Sequence, residues 1–219
     1  MDWDRENAEN AFKHALELNP NYATAHHYYS QHLHITGQHE EARKHIDKAL
    51  ELDPLSFVIR YVNGAEMYYN DGRFSEALSE IQKCHELQEN HPWLPRIEFL
   101  IYWQLGEEGK AYDALRKIFE KDSIYNLDTA ESIYQVSGLD AVIDWKIEID
   151  IEDSESKYPY YSIADTYGLI GEDEKALEWL EKAYMSQKIS PSMSFNLHFK
   201  NLHKNPRYIA ILKKMGLDE

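Results

Sequence analysis

The chain has 219 residues, 43% of them hydrophobic, and 39 acidic against 23 basic side chains leave a formal charge of −16. That charge repels nucleic-acid backbones and anionic membranes, which argues against direct nucleic-acid binding and against a membrane partner. One cysteine cannot form an internal disulfide, no apolar run approaches the ~20 residues that span a bilayer, and no secretory leader opens the chain, so a cytoplasmic location is expected.

Residues 2–18 read as an amphipathic helix with Trp3, Ala8, Phe12, Ala15 and Leu16 on its apolar side. It has the form of a second helix without a first, a truncated unit over 1–22, so a longer parent protein is expected. Trp3 and Phe12 become a candidate self-association flank. Residues 23–56 hold two short amphipathic helices broken at Thr36-Gly37 and closed by Asp53-Pro54, and comparable units follow at 57–91 and 92–122. A degenerate pair around Gly138 occupies 125–152. The polar run Glu152 to Ser156 then connects to a fifth unit at 157–190, opened by Tyr158-Pro159-Tyr160-Tyr161. Residues 191–219 are expected to be capping helices, with Pro206 starting one whose Tyr208, Ile209, Leu212 and Met215 cover the last hairpin.

The units keep step with one another. Ala8, Ala42, Ala77 and Ala111 recur at intervals of 34, 35 and 34 residues, about one helix-turn-helix unit. Phe12, Ile46, Ile81 and Leu115 lie four residues after them, with Ala15, Ala49, Cys84 and Ile118 three further on, so each set falls on one helical stripe. Cys84 therefore reads as a small buried hydrophobe. Gly37, Gly72, Gly106, Gly138 and Gly171 end successive apolar segments, where a helix terminus needs a left-handed residue without a β-carbon.

This pattern resembles the tetratricopeptide repeat. It is carried by Tyr29, Leu33, Gly37, Ala42, Ile46, Ala49 and Pro54 in 23–56, and by Tyr61, Ala65, Tyr68, Gly72, Ala77 and Ile81 in the next unit. It returns as Tyr160, Ala164, Tyr167, Gly171, Ala176, Leu180 and Ala183 in the fifth. Departures are His26 where the pattern favours Trp, Phe99 at a small-residue position, and a span of only 32 from Gly106 to Gly138. The resemblance implies an all-α fold, a single right-handed superhelix of stacked antiparallel hairpins whose first helices line a concave face. Asp2-Trp3-Asp4 through Asn19-Pro20-Asn21-Tyr22-Ala23, Ala176 through Tyr184, and Asn205-Pro206-Arg207-Tyr208 through Leu217 also resemble the C-terminal repeat arrays of bacterial signalling and transcription-regulating proteins. In those proteins a DNA-binding, kinase or cyclase domain lies upstream.

On the implied concave face the spacing places His27, Gln31 and His34, then Val62, Glu66, Tyr69 and Asn70, then Arg96, Leu100, Trp103 and Gln104, and finally Tyr161 and Asp165. Aromatic anchors and amides in a groove suit a peptide, so the expected function is a non-catalytic scaffold for a protein or peptide segment, basic or amphipathic in view of the charge. The alternative is a self-association or ligand-sensing module of a larger regulatory protein, with a homo-oligomer formed through the N-terminal end. Repeat modules that grip a C-terminal carboxylate resemble one another in a lysine and asparagine pair, which is missing here: Val62 and Glu66 occupy the equivalent faces. His26, His27, His32, His34 and His39 have no cysteine and no tight pair one turn apart to complete a metal site, and His198 and His203 do not share a face well. They read as interfacial or solvated imidazoles. Gly106-Glu107-Glu108-Gly109-Lys110 lacks the glycine spacing and hydroxyl of a phosphate loop and reads as a hairpin turn. With no isolated carboxylate pair either, neither an enzyme nor a cofactor is expected.

Overall fold

The structure, a computed structural model, describes residues 5–153 and 160–217, and among these every regular element is helical. Trp3, Ser154 to Ser156 and Tyr158-Pro159 lie outside the described residues. Two compact units are present, Met1–Asn90 with Ser190–Glu219, and His91–Ile189.

In the first unit, α1 (Arg5–Leu18) packs on the hairpin of α2 (Ala23–Ile35) and α3 (His39–Leu52). Their interface is built on the repeating small residues: Ala42 and Ala49 are fully buried, as is Leu33. Phe12 and Leu16 are half-buried against Tyr29, Leu33 and Ala42, with the Phe12 and Tyr29 rings stacked at 5.7 Å. Phe12 is therefore part of a packed seam between α1 and α2, because its ring completes the Tyr29 cluster.

The next hairpin departs from a plain helix pair. Between α4 (Phe57–Ile59) and α5 (Met67–Asn70) the backbone widens into a π-helix over Arg60–Glu66, before α6 (Phe74–Leu87) returns. Gly64 sits within that turn. A β-carbon there would meet Glu80 Cγ at 2.8 Å, so its absence lets α6 approach. Glu80 then receives Arg60 at 2.5 Å and Lys83 at 2.7 Å.

The second unit contains α7 (Leu94–Gln104), α8 (Glu108–Phe119), α9 (Leu127–Glu152), α10 (Tyr160–Leu169) and α11 (Asp173–Met185). α9 is two helices joined at Gly138, whose φ of 78° and ψ of −174° belong to a region essentially reserved for glycine. The Glu108 carboxylate accepts the Leu139 N–H at 3.0 Å and so caps the second of them.

The last stretch belongs with the first unit. It runs through 3-10 turns at Pro191–Ser194 and Leu197–Lys204 into α12 (Pro206–Lys214), burying Met193, Phe199, Leu202, Tyr208, Ile211 and Met215. The sequence reading had Tyr208, Ile209, Leu212 and Met215 covering the last hairpin; Tyr208 and Met215 are buried, Ile209 and Leu212 half-buried, and the segment groups with residues 1–90.

Candidate functional site

The turn glycines set the register of the site. At Gly37 (φ 76°) the Gly37 N–H donates to the His34 carbonyl at 3.2 Å and the Gln38 N–H to the Leu33 carbonyl at 2.8 Å, the paired bonds of a Schellman terminus. The same pair recurs at Gly72, closing on Tyr69 and Tyr68, and at Gly106, closing on Trp103 and Tyr102. Equivalent geometry puts His34, Tyr69 and Trp103 at one position, three residues before each turn glycine.

In the first unit that position is occupied by the chain itself. Tyr69 Oη and His198 Nε2 lie 2.6 Å apart, and the Leu197 N–H donates to Asn70 Oδ1 at 3.2 Å. The Phe195 ring meets His34 edge-on at 4.3 Å, and Ser194 Oγ donates to the Ile35 carbonyl at 3.3 Å. An irregular segment thus runs along the C-terminal ends of α2 and α5, held by an aromatic, an amide and a backbone carbonyl. Tyr69 and His34 are only 2% and 4% exposed, so they serve as walls of a filled groove. Burial, reinforced by His39 and Arg43, pulls the His34 pKa down to about 4.

The remaining first-unit residues divide. His27 is buried, bonded to Asn63 Oδ1 at 3.0 Å and to Gln31 Nε2 at 3.0 Å, and burial lowers its pKa despite the Asn63 bond. It is a helix-to-helix contact, as Asn63, unremarked by the repeat pattern, comes from the π-helical turn. Val62 and Glu66 are half-buried. His26 pairs with His45 at 2.7 Å and with the Pro20 carbonyl at 3.0 Å, and His34 with His39 at 3.3 Å. Among the described residues no group of three or more His, Cys, Asp or Glu is placed to hold a metal ion.

In the second unit, Trp103 remains half-buried and lines a cavity of about 430 Å³ with Tyr102, Glu108, Gly138, Leu139 and Asp140. Arg96 reaches Asp165 at 3.2 Å, joining α7 to α10, whereas Leu100 is buried in the helix packing. Gln104 is exposed and Tyr161 half-buried. The residues that sequence reasoning missed are Asn63, Ser194, Phe195 and Leu197, while His198 was read only as an interfacial or solvated imidazole. Only Asn63 carried a local hint, a polar residue on an otherwise apolar helical stripe.

Fold and site together define a helical-hairpin repeat protein. Residues 23–56 match one family model described as tetratricopeptide repeat, and residues 4–22 and 158–188 match a second with the same description, so these segments are tetratricopeptide repeats. No curated protein matches the sequence. Among solved structures, the chain is similar to YrrB, described as a TPR protein with an unusual peptide-binding site, at 24% identity and a TM-score of 0.51 over 88% of this chain and 98% of that one. It is similar to a tetratricopeptide repeat protein from Parabacteroides merdae at 19% identity and a TM-score of 0.55, covering 97% and 86% of the two chains. It also resembles the human IFIT1 dimer with m7Gppp-AAAA at 18% identity and a TM-score of 0.54, covering 98% of this chain and 55% of that one. These likenesses identify a tetratricopeptide-repeat fold. Among the described residues no helix is long and apolar enough to cross a membrane.

Proposed function

We propose that this chain is a non-catalytic interaction scaffold that binds a peptide or protein segment, with Trp103 as its anchor. The supporting observation is the shared register: the position that holds Phe195 and His198 in the first unit, through His34 and Tyr69, opens at Trp103 onto a cavity of about 430 Å³. A surface that already satisfies the backbone and side chains of one irregular segment is suited in form to a second. Glu108 and Asp140 beside Trp103 favour a basic or amphipathic side chain, whose cation the indole face attracts. The peptide-binding site named for YrrB is consistent with this reading.

Trp103→Ala removes the anchor, and because Trp103 is half-buried the variant is checked by melting first. Retention of a lysate protein by wild type and its loss from the variant is the expected result. Equal retention by both would sink the proposal. Self-association through Phe12 has less support, since that ring is already stacked on Tyr29; sedimentation of the chain would reveal it.

A further inference from the structure

We propose that a second cavity, in the first unit beside α1, binds a small amphipathic carboxylate, an alkyl or aryl body carrying one carboxyl group. The cavity measures about 260 Å³ and is walled by Ala8, Phe12, Pro191 and Leu217. It falls just below the ~300–1,000 Å³ of drug-sized sites, which limits the ligand to a short chain or a single ring.

Several polar side chains line the same space, Gln31 and Thr36 among them. Arg5 Nη2 and His32 Nε2 are both buried there, and neither has a hydrogen-bond partner. Buried donors are nearly always paired, because an unpaired one forfeits its water without replacement, and a guanidinium forfeits most. On a chain of formal charge −16, an arginine with a buried, unpartnered Nη2 in a mainly apolar cavity is a specific anion mark rather than part of a basic surface.

The form of the anion follows from the neighbours. The His32 ring is held 5.7 Å from Phe12, and burial lowers its pKa, so at neutral pH it supplies an N–H or a lone pair and no charge. Arg5 then supplies the positive charge in the cavity lining. Glu9 and Lys13, paired at 2.7 Å, both act on His32 and with opposite sign. A monoanionic carboxylate takes one N–H from Arg5 and one from His32, with its apolar body against Ala8 and Phe12.

The test is calorimetric titration of the full chain at neutral pH with octanoate, octanamide and acetate. Octanoate is expected to bind at one saturable site, octanamide about tenfold or more weakly, and acetate without measurable heat. Arg5→Met should bring octanoate down to the octanamide level with the melting temperature retained, and Ala8→Leu should weaken both by filling the cavity. Absence of saturable octanoate binding overturns the proposal. So does equal binding of octanoate and octanamide to wild type, a comparison that needs no variant to fold. Binding that appears only when the chain is ended at Leu217 overturns it as well, because the chain's own terminal acids would then be the ligand.

Discussion

Tyr69 and His198, 129 residues apart, share a 2.6 Å hydrogen bond between two buried side chains. The bond ties the C-terminal end of α5 to the 3-10 turn Leu197–Lys204, and with Leu197 on Asn70 it holds the returning chain in the groove of the first unit. Replacing Tyr69 by Phe keeps the ring and removes the hydrogen bond to the buried His198, a loss of about 1–3 kcal/mol. His198→Leu alone should cost a similar amount, and the double variant less than the two together, because the one shared bond can be lost only once. Denaturant melts of the four proteins measure this; additive losses would show that the two residues do not act as a pair.

Gly64 faces Glu80 so closely that the Gly64→Ala side chain would have to displace a methylene, since Glu80 Cγ is 2.8 Å and Glu80 Cβ 3.2 Å from the new atom. Those atoms sit near the backbone and Glu80 is pinned by Arg60 and Lys83, so the strain is expected to destabilise by about 1–3 kcal/mol. Adding Glu80→Ala should recover part of the loss by removing the obstructing atom. An unchanged midpoint for Gly64→Ala would mean that the helices separate freely at this crossing.

Stability should fall on mild acidification. His34 is held at about 4 in the folded chain against its ordinary 6.5, so the unfolded chain takes up a proton that the folded one refuses. The contribution is complete above 6.5, declines as pH falls between these values, and levels below about 4, a total on the order of 3 kcal/mol. His27, His32 and His45 are lowered in the same direction, each first by burial, and steepen the slope. Unfolding midpoints between about pH 7 and 5 avoid most carboxylate titration. His34→Leu should flatten that slope; an equally steep profile in the variant would assign it to other groups.

Asp150 is a buried charge of the second unit. It is fully buried, accepts the Tyr125 hydroxyl, and receives Lys146 one helical turn away. Asp150→Ala strands a largely buried ammonium and is expected to cost about 3–5 kcal/mol, whereas the double variant Asp150→Leu/Lys146→Met should restore most of it. Thermal melts separate the outcomes: a mild single variant would show that water reaches Lys146.

Much of this architecture is legible in spacing. The alanine interval predicts the seams that bury Ala42, Ala77 and Ala111, and the glycine ladder predicts left-handed termini, which Gly37, Gly72, Gly106 and Gly171 adopt with φ between 69° and 79°. Cys84, expected to be a small buried hydrophobe, is fully buried, and its thiol is pushed up to about 11. Such features are local: one turn of helix sets which residues share a face, and a helix end sets which residue must reverse it. Only the tertiary structure decided where the last 30 residues go, that Tyr69 and Asn70 face the chain's own Leu197 and His198, and that His27 meets Asn63 instead of a groove. Those contacts join residues 36 to 129 positions apart, and no helical period relates them. Their partners are chosen by which buried polar groups and cavities remain once the hairpins have packed.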